Sequence, residues 1–451
     1  MTIGALMMNP SSLPLRGAFR LPLVAILAAL PLGASGFQLR EQSPSAQGNA
    51  YAGISAGGTD VGGMFFNVAT LTRFDGNEIV AGFSTIKPSA RLVDGKATRA
   101  TTLGGSTISG GNGGDAGETA TLPALAALWS LSPDLKLGLS LNSPFGLSSS
   151  YSSGWMGRYH ALRSEMTIIE LAPSIAWRVN RQWSVGAALA ARHVDAELSN
   201  AVDFGAVAAA YHVPGYAPGS ADGFAKVQGK RWGLGWKAGV LFEPSSTLRF
   251  GASYRSAIDY RLKGDVHYEG VPAPLAGVFK DGGARPMANQ PATASLGAAW
   301  EAFPGVTLQA ETARTFWTHF QDIRIAFATG QADSVTVENW KDSWFHSVGA
   351  TWQPAGPWTF RAGVALDQTP TTDTYRTPRI PDAERFWASV GVGYAFTAKV
   401  SMDVAYTHLF AKDSVLDLKA TPGSPDFLRG NLSGTYHNKV DIVALQVRCK
   451  L

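Results

Sequence analysis

Between Trp232 and Phe242 the chain alternates: Trp232, Leu234, Trp236, Ala238, Val240 and Phe242 take every second place, with Gly233, Gly235, Lys237, Gly239 and Leu241 between them. A helix would scatter that apolar set around its circumference, whereas a strand gathers it on one face. The same period runs through Leu135, Leu137, Leu139 and Leu141, through Ile169 to Val179, and through Leu248 to Tyr254. It returns in Trp344 to Trp352 and in Trp358 to Leu366. Followed along the chain, it predicts fourteen strands, near residues 79–92, 120–131, 135–143, 166–179, 182–198, 232–243, 247–263, 291–302, 305–327, 335–353, 357–368, 384–396, 399–412 and 435–451.

Tight turns follow the even strands: Ser132-Pro133-Asp134, Asn180-Arg181-Gln182, Pro244-Ser245-Ser246, Phe303-Pro304-Gly305, Pro354-Ala355-Gly356 and Thr397-Ala398-Lys399. Most connections after odd strands are long. An even strand count with short turns at one end and long loops at the other is the pattern of an outer-membrane barrel. A soluble β-sandwich also alternates, but its strands are usually about five or six residues long, and strands that cross lipid need about nine to eleven. Trp177, Trp183, Trp232, Trp300, Trp344, Trp352 and Tyr394 fall near strand ends, where two interfacial girdles would lie. The expected fold is therefore all-β, a 14-stranded antiparallel transmembrane β-barrel over residues 79–451.

Composition agrees. Charged residues make up 16% of the 451, against about 25% in a soluble domain, yet beyond the N-terminus no run approaches the roughly 18–20 apolar residues of a spanning helix. A net charge of +4 predicts no nucleic-acid partner. The single cysteine, Cys449, rules out a disulfide within the chain and a cysteine metal cluster. Eight histidines show neither HExxH nor metal-ligand spacing, so no metal and no cofactor is expected. Nothing in the sequence alone supports a Gly-x-Ser-x-Gly nucleophile, a phosphate loop or a paired nucleophile and base, which argues against an enzyme, although lipases do occur on barrels.

Residues 1–35 read as a secretory leader, with Arg16 and Arg20 before the apolar run Leu21–Leu32 and then Gly33, Ala34 and Ser35. Residues 36–78 do not alternate, and Ala52 to Gly63 holds five glycines. A fourteen-strand barrel encloses more space than wall side chains fill, so this segment is expected to be a hatch inside the lumen. The apolar cluster Met64, Phe65 and Phe66 argues against an exposed tail.

Specific residues then look familiar. Ser35-Gly36-Phe37-Gln38-Leu39, Gly48-Asn49-Ala50-Tyr51-Ala52-Gly53 and Asn67-Val68-Ala69 with Arg73-Phe74-Asp75 resemble the start of the long-chain fatty-acid outer-membrane transporter family, the FadL/TodX type. Trp232 to Gly239, Tyr254-Arg255-Ser256, Trp358 to Gly363 and Ile380 to Trp387 are similar to it in order and spacing. The resemblance implies a hatch-closed barrel in the bacterial outer membrane. It further implies that a hydrophobic ligand is caught by extracellular loops, passes to a pocket near the mature N-terminus, and leaves sideways into the bilayer down its own gradient. Two departures stand out. Asn67-Val68-Ala69 replaces the usual Asn-Pro-Ala of the gate, and Asn200 and Thr336 fall where fatty-acid members place basic residues, which would suit a neutral hydrocarbon or aromatic ligand.

Phe37, Gln38 and Leu39 are the expected inner pocket. Phe145, Leu147, Tyr151, Trp155 and Met156 are the expected outer capture surface, faced by a short amphipathic helix from Phe204 to Tyr211. Arg158, Arg163 and Arg192 are candidates for a ligand carboxylate, or else partners of Glu165, Glu170 and Glu197. Expected partners are outer-membrane lipids and lipopolysaccharide, a hydrophobic small molecule, and the barrel-assembly machinery, with the chain acting as a monomer. Long-chain fatty acids are the expected cargo, neutral or aromatic hydrocarbons the alternative, and a general diffusion porin for small polar solutes the more distant one.

Overall fold

The computed structural model describes residues 36–451, and the expected leader, residues 1–35, lies outside them. Twenty strand segments occur, six of which continue a neighbour after a break, leaving fourteen wall strands. They are β1 (Glu78–Thr98), β2 (Ala120–Ser130), β3 (Leu135–Asn142, continued by Gly146–Ser150), β4 (Arg163–Arg178), β5 (Trp183–Asp203), β6 (Asp222–Phe242) and β7 (Leu248–Arg255, continued by Lys263–Glu269). Then come β8 (Gly282–Pro286, continued by Thr293–Phe303), β9 (Val306–Thr315, continued by Asp322–Phe327), β10 (Ser334–Val337, continued by Ser343–Trp352), β11 (Trp358–Asp367), β12 (Arg385–Ala395), β13 (Val400–Ala411, continued by Ser414–Leu418) and β14 (Asn431–Lys450). Each pairs antiparallel with the next. The cylinder closes between β1 and β14, from Glu78 opposite Lys450 to Thr98 opposite Asn431. Closure satisfies the backbone polar groups that an open sheet edge would leave bare in lipid.

The period-2 pattern maps onto the two faces. Along β6, Trp232, Leu234, Trp236 and Val240 are exposed, while Gly235, Lys237, Gly239 and Leu241 are buried toward the lumen. The outward set meets lipid, and the inward set carries the ions. Glu170 bonds Arg192 at 2.6 Å and Lys237 at 2.5 Å, and Arg361 bonds Asp403 at 2.7 Å. Outward-facing Trp129, Trp177, Trp183, Trp300, Trp352 and Trp358 flank the short turns, and Trp232, Tyr254, Trp344 and Phe410 are exposed higher up, giving two aromatic belts.

Residues 36–74 pack inside the barrel as a short helix (Pro44–Gln47) and three 3-10 segments, Ile54–Ala56, Val61–Phe65 and Val68–Arg73. Two wall glycines show how tightly it fits. A Cβ on Gly363 would strike the carbonyl oxygen of Asn49, and one on Gly251 that of Ser55. Polar locks add direction. Asp60 accepts from Ser45 at 2.5 Å and from Gln446 of β14 at 2.8 Å, and Arg361 of β11 reaches Thr59 at 3.0 Å. Asn67 caps the last 3-10 segment by accepting from Ala69 N at 3.0 Å, while its amide donates to the carbonyls of Ser55 at 2.6 Å and Val240 at 3.0 Å.

The main departure from the sequence expectation concerns continuity. Strands expected without interruption over 247–263, 305–327 and 335–353 are broken at 256–262, 316–321 and 338–342, and β8 gains an upper half with a break at 287–292. The causes are local. Trp317–His319 forms a 3-10 turn, Asn339 adopts a left-handed φ of 42°, and Pro291 offers no ladder donor.

Candidate functional site

Those four breaks lie on consecutive strands at one height, and the released segments turn inward. They bring Ile258, Tyr260, Ala288, Trp317, Phe320 and Trp340 into one buried cluster. At its centre sits Phe37. Its ring is 4.7 Å from Trp317, 5.2 Å from Phe320, 5.5 Å from Trp340 and 5.9 Å from Phe145, mostly edge-on or tilted, the arrangement aromatic quadrupoles favour. Gln38 is held by its amide, which donates to Thr293 at 3.1 Å and accepts from Thr315 at 2.8 Å. The N-terminal segment thus closes a collar.

Beside the collar the wall is open. β3 stops at Asn142, and the chain turns inward through Ser143, Pro144 and Phe145 before running on as Gly146–Ser150 against β4, its upper end bridged on the other side to Ala116 and Gly117. Residues 120–124 of β2 consequently pair with β1 on one side and with nothing on the other. A cavity of about 720 Å³ occupies this gap, lined by Leu39, Leu122, Leu147, Met166 and Ile169 among others. The hatch fixes the inward turn. Gln42 accepts from Ser143 N at 2.9 Å and donates to its carbonyl at 2.7 Å, and Phe37 and Leu39 bond Gly146 and Pro144 at 3.0 Å each.

Above the collar lies a cavity of about 210 Å³ with a mixed lining: Leu198, Val227, Ile323 and Val207 on the apolar side, Asn200, Thr336, Arg379 and Arg429 on the polar side. A narrower apolar space of about 50 Å³ shares Leu198, Val227 and Ile323 with it and continues past Leu262 and Phe320 to Phe37. That space shares Leu147 and Met166 with the wall gap. Three adjacent cavities therefore succeed one another from two arginines, past Phe37, to the wall gap.

The arginines explain the two neutral positions. Arg379 donates to Asn200 Oδ1 at 3.1 Å and to Ser164 Oγ at 3.1 Å, and Arg429 donates to Thr336 Oγ1 at 3.1 Å, to Ser334 Oγ at 3.3 Å and to the carboxylate of Asp426 at 3.2 Å, so that Arg379 is the cation of the two without a carboxylate bonded to it among the described residues. Asn200 and Thr336 orient cations that arrive from two other loops. Burial, reinforced by Arg429, pushes the Arg379 guanidinium down to about 9, which leaves it charged at neutral pH. Next to it Glu338 is fully buried, accepts from Trp340 Nε1 at 3.0 Å and Thr377 Oγ1 at 3.1 Å, and is raised by burial to about 8. It connects the loop bearing Arg379 to the Trp340 that packs on Phe37.

Of the residues expected from sequence, Phe37, Gln38, Leu39, Phe145 and Leu147 come together at the collar and gap. Phe145, Tyr151 and Trp155 are expected from sequence at an exposed capture surface and are all buried: Phe145 joins the collar, away from Tyr151 and Trp155. Those two stack at 4.2 Å inside the loop core, with Tyr151 Oη bonded to Pro378 O and Tyr436 Oη and Trp155 Nε1 to Ala161 O, and line neither cavity above the gap. The expected helix forms over Phe204–Ala210, but it divides its residues. Phe204 is buried against Phe279, Val207 reaches the upper cavity, and Tyr211 is exposed. Arg158 pairs with Asp222 at 3.1 Å, Arg163 with Glu165 at 2.6 Å and Arg192 with Glu170 at 2.6 Å, so each is already neutralised by a protein carboxylate. Val68 is the first residue of a 3-10 segment capped by Asn67, with Ala69 supplying the capped N–H. Sequence reasoning missed Gln42, Arg379, Arg429, Glu338 and the collar aromatics Tyr260, Trp317, Phe320 and Trp340. The only local signal was apolar spacing in Phe316, Trp317 and Phe320, which departs from strict alternation.

Comparison with known proteins agrees with this geometry. The family described as "Outer membrane protein transport protein (OMPP1/FadL/TodX)" matches residues 24–451. A long-chain fatty acid transport protein of Salmonella typhi is 29% identical over 406 residues, covering 86% of this chain and 89% of the relative. Its counterpart in Escherichia coli K12 is 28% identical over 405 residues, covering 83% and 87%. The crystal structure of a Pseudomonas aeruginosa FadL homologue shares the fold at a TM-score of 0.85 and 24% identity, covering 92% of this chain and all of that one. The Pseudomonas putida toluene transporter TodX shares it at 0.68 and 16% identity, covering 93% and 100%. With its closed barrel and its succession of cavities ending in a wall gap, this protein belongs to the OMPP1/FadL/TodX family of bacterial outer-membrane transport proteins, as a carrier of hydrophobic compounds and not an enzyme.

Proposed function

We propose that the cargo is a long-chain fatty acid, held with its carboxylate toward Arg379 and Arg429 and its chain along Leu198, Val227 and Ile323. The observation that carries this reading is the presence of Arg379, with Arg429 and its partner Asp426 beside it, at one end of adjacent cavities whose shared lining is apolar. Arginine recognises a carboxylate through charge-assisted, often bidentate hydrogen bonds, and a toluene-sized neutral ligand has no use for them. From the upper cavity the chain passes Phe37 and leaves between residues 120–124 and the Gly146–Ser150 segment. Each CH₂ returned to water would cost about 0.8 kcal/mol, so an exit into lipid keeps the whole path dry. Movement is passive, down the gradient. The hatch that fills the lumen, locked through Asp60, Asn67 and Arg361, speaks against a diffusion pore for polar solutes.

The test is uptake of radiolabelled oleate and toluene by cells lacking their own outer-membrane fatty-acid transporter, with and without this protein. Oleate uptake above the empty cells supports the reading. Toluene uptake without oleate uptake would replace it with the aromatic-hydrocarbon alternative.

A further inference from the structure

Around much of the extracellular rim an outward cation has an acid beside it: Arg91 with Asp115 at 3.1 Å, Lys412 with Glu384 at 2.6 Å, Arg324 with Asp322 at 3.1 Å and Asp333 at 3.3 Å. Higher on β6, Lys226 likewise pairs with Glu197 at 2.6 Å, but at the next level down on β6, β7 and β8 the pattern fails. Lys230 stands directly opposite Lys263 across β6 and β7. Arg285 continues the row on β8, one position beyond the Ala284–Gly264 pair. Arg231 and Arg261 lie alongside, Arg231 Nη1 donating to the Arg261 carbonyl at 2.9 Å. All five side chains are exposed, and among the described residues none forms an ion pair within 4.0 Å. Glu197, Glu269, Asp281 and Asp322 on the same side are taken by Lys226, His267 and Arg324; among the described residues Asp195, opposite Lys230, and Asp265, two residues beyond Lys263, are the nearby carboxylates without an ion pair, which leaves cations in excess.

Like charges placed directly opposite destabilise a strand pair. A row of three across neighbouring strands therefore calls for an anion from outside the chain. Its position says which. Trp232, part of the upper aromatic belt, follows Arg231 in sequence and is 63% exposed, so the row sits at the level of the outer-leaflet head groups, continuous with the lipid-facing wall. Strands lie about 4.8 Å apart, so the row spans about 10 Å, wider than one phosphate covers. We infer that this row is a docking site for an outer-leaflet glycolipid bearing two phosphates, bound through charge-assisted hydrogen bonds from Lys230, Lys263 and Arg285 with Arg231 and Arg261 beside them. The site is on the outer wall and does not depend on the cargo inside.

The full chain, purified in detergent, is titrated with bisphosphorylated lipid A, and bound lipid is counted by native mass spectrometry. The Lys230→Gln/Lys263→Gln/Arg285→Gln variant should bind at least tenfold more weakly than the unaltered protein. A Lys412→Gln/Lys419→Gln/Lys439→Gln control, with the same charge removed elsewhere, should stay within twofold. Lipid A stripped of its phosphates should bind all three proteins weakly and alike. Equal affinity of the first variant and the unaltered protein, equal loss in the control, or binding indifferent to the phosphates would each overturn the inference. Without lipid the first variant should unfold at no lower a temperature, since it relieves repulsion, and a clear fall would contradict the premise.

Discussion

Replacing Arg429 with Gln removes a cation from the upper cavity while sparing Arg379, which also ties together Ser164 and Asn200 from two strands. Arg429 is the cleaner target because its protein contacts are to Thr336, Ser334 and Asp426 at 3.1–3.3 Å near the cavity rim. A hydrogen bond from a charged donor contributes about 1.5–3 kcal/mol, and about 1.4 kcal/mol changes an affinity tenfold. Arg429 is partly exposed and partly neutralised by Asp426, so solvent screening favours the low end, a loss of about tenfold. The assay is equilibrium binding of radiolabelled oleate and of oleyl alcohol, which has the same chain and a neutral head. Oleate affinity should fall about tenfold and oleyl alcohol affinity should hardly move. An unchanged oleate affinity, or an equal loss for both ligands, would refute the assignment of the head-group end.

Three further expectations follow from the hatch and collar. Val68→Pro should stabilise the protein by about 0.4–1 kcal/mol in thermal or denaturant unfolding, because Val68 opens a 3-10 segment and Asn67 is already extended (φ −144°, ψ 110°), as the residue before proline must be; a marked destabilisation would show that the gate turn is not pre-set. Glu338 holds its proton to about pH 8 in the fold against the ordinary carboxylate value of 4.5, so its contribution to stability is complete below about pH 4.5 and is lost progressively as pH rises to 8. Thermal stability should therefore fall between pH 5 and pH 8 more steeply in the unaltered protein than in Glu338→Gln, and parallel curves would contradict this. Deleting residues 37–66 should leave a barrel that inserts in planar bilayers and conducts ions, whereas unchanged single-channel conductance would contradict the hatch.

The barrel was legible because lipid and hatch impose opposite polarity on the two faces, so that Trp232 and Leu234 point out while Lys237 and Leu241 point in. The collar was not. Phe316, Trp317 and Phe320 are apolar enough to pass for strand residues, and their inward turn depends on contacts with Phe37, some 280 residues earlier. Phe37 to Leu39 were identified through resemblance, since no periodicity marks them. Arg379 and Arg429 lay outside reach for a different reason. They are fixed by Asn200 and Thr336 from distant strands, and a neutral residue at those two positions reads from sequence as a missing charge when it is in fact the holder of one. The helix at 204–210 was predicted correctly as an element, but spacing could not show that Tyr211 lies just past its end, at a C-cap that faces solvent.

The most direct test of the lateral path is to close it. Leu122 and Leu147 line opposite sides of the wall gap, and the one native cysteine, Cys449, can be replaced by serine. Cells carrying Leu122→Cys/Leu147→Cys in the Cys449→Ser background would be treated with a short bis-maleimide and assayed for oleate uptake. Cross-linked protein should lose uptake to the level of cells without it, while the untreated pair and either single cysteine treated alike retain it. Full uptake through a barrel whose cross-link is verified by mass spectrometry would contradict release through this gap.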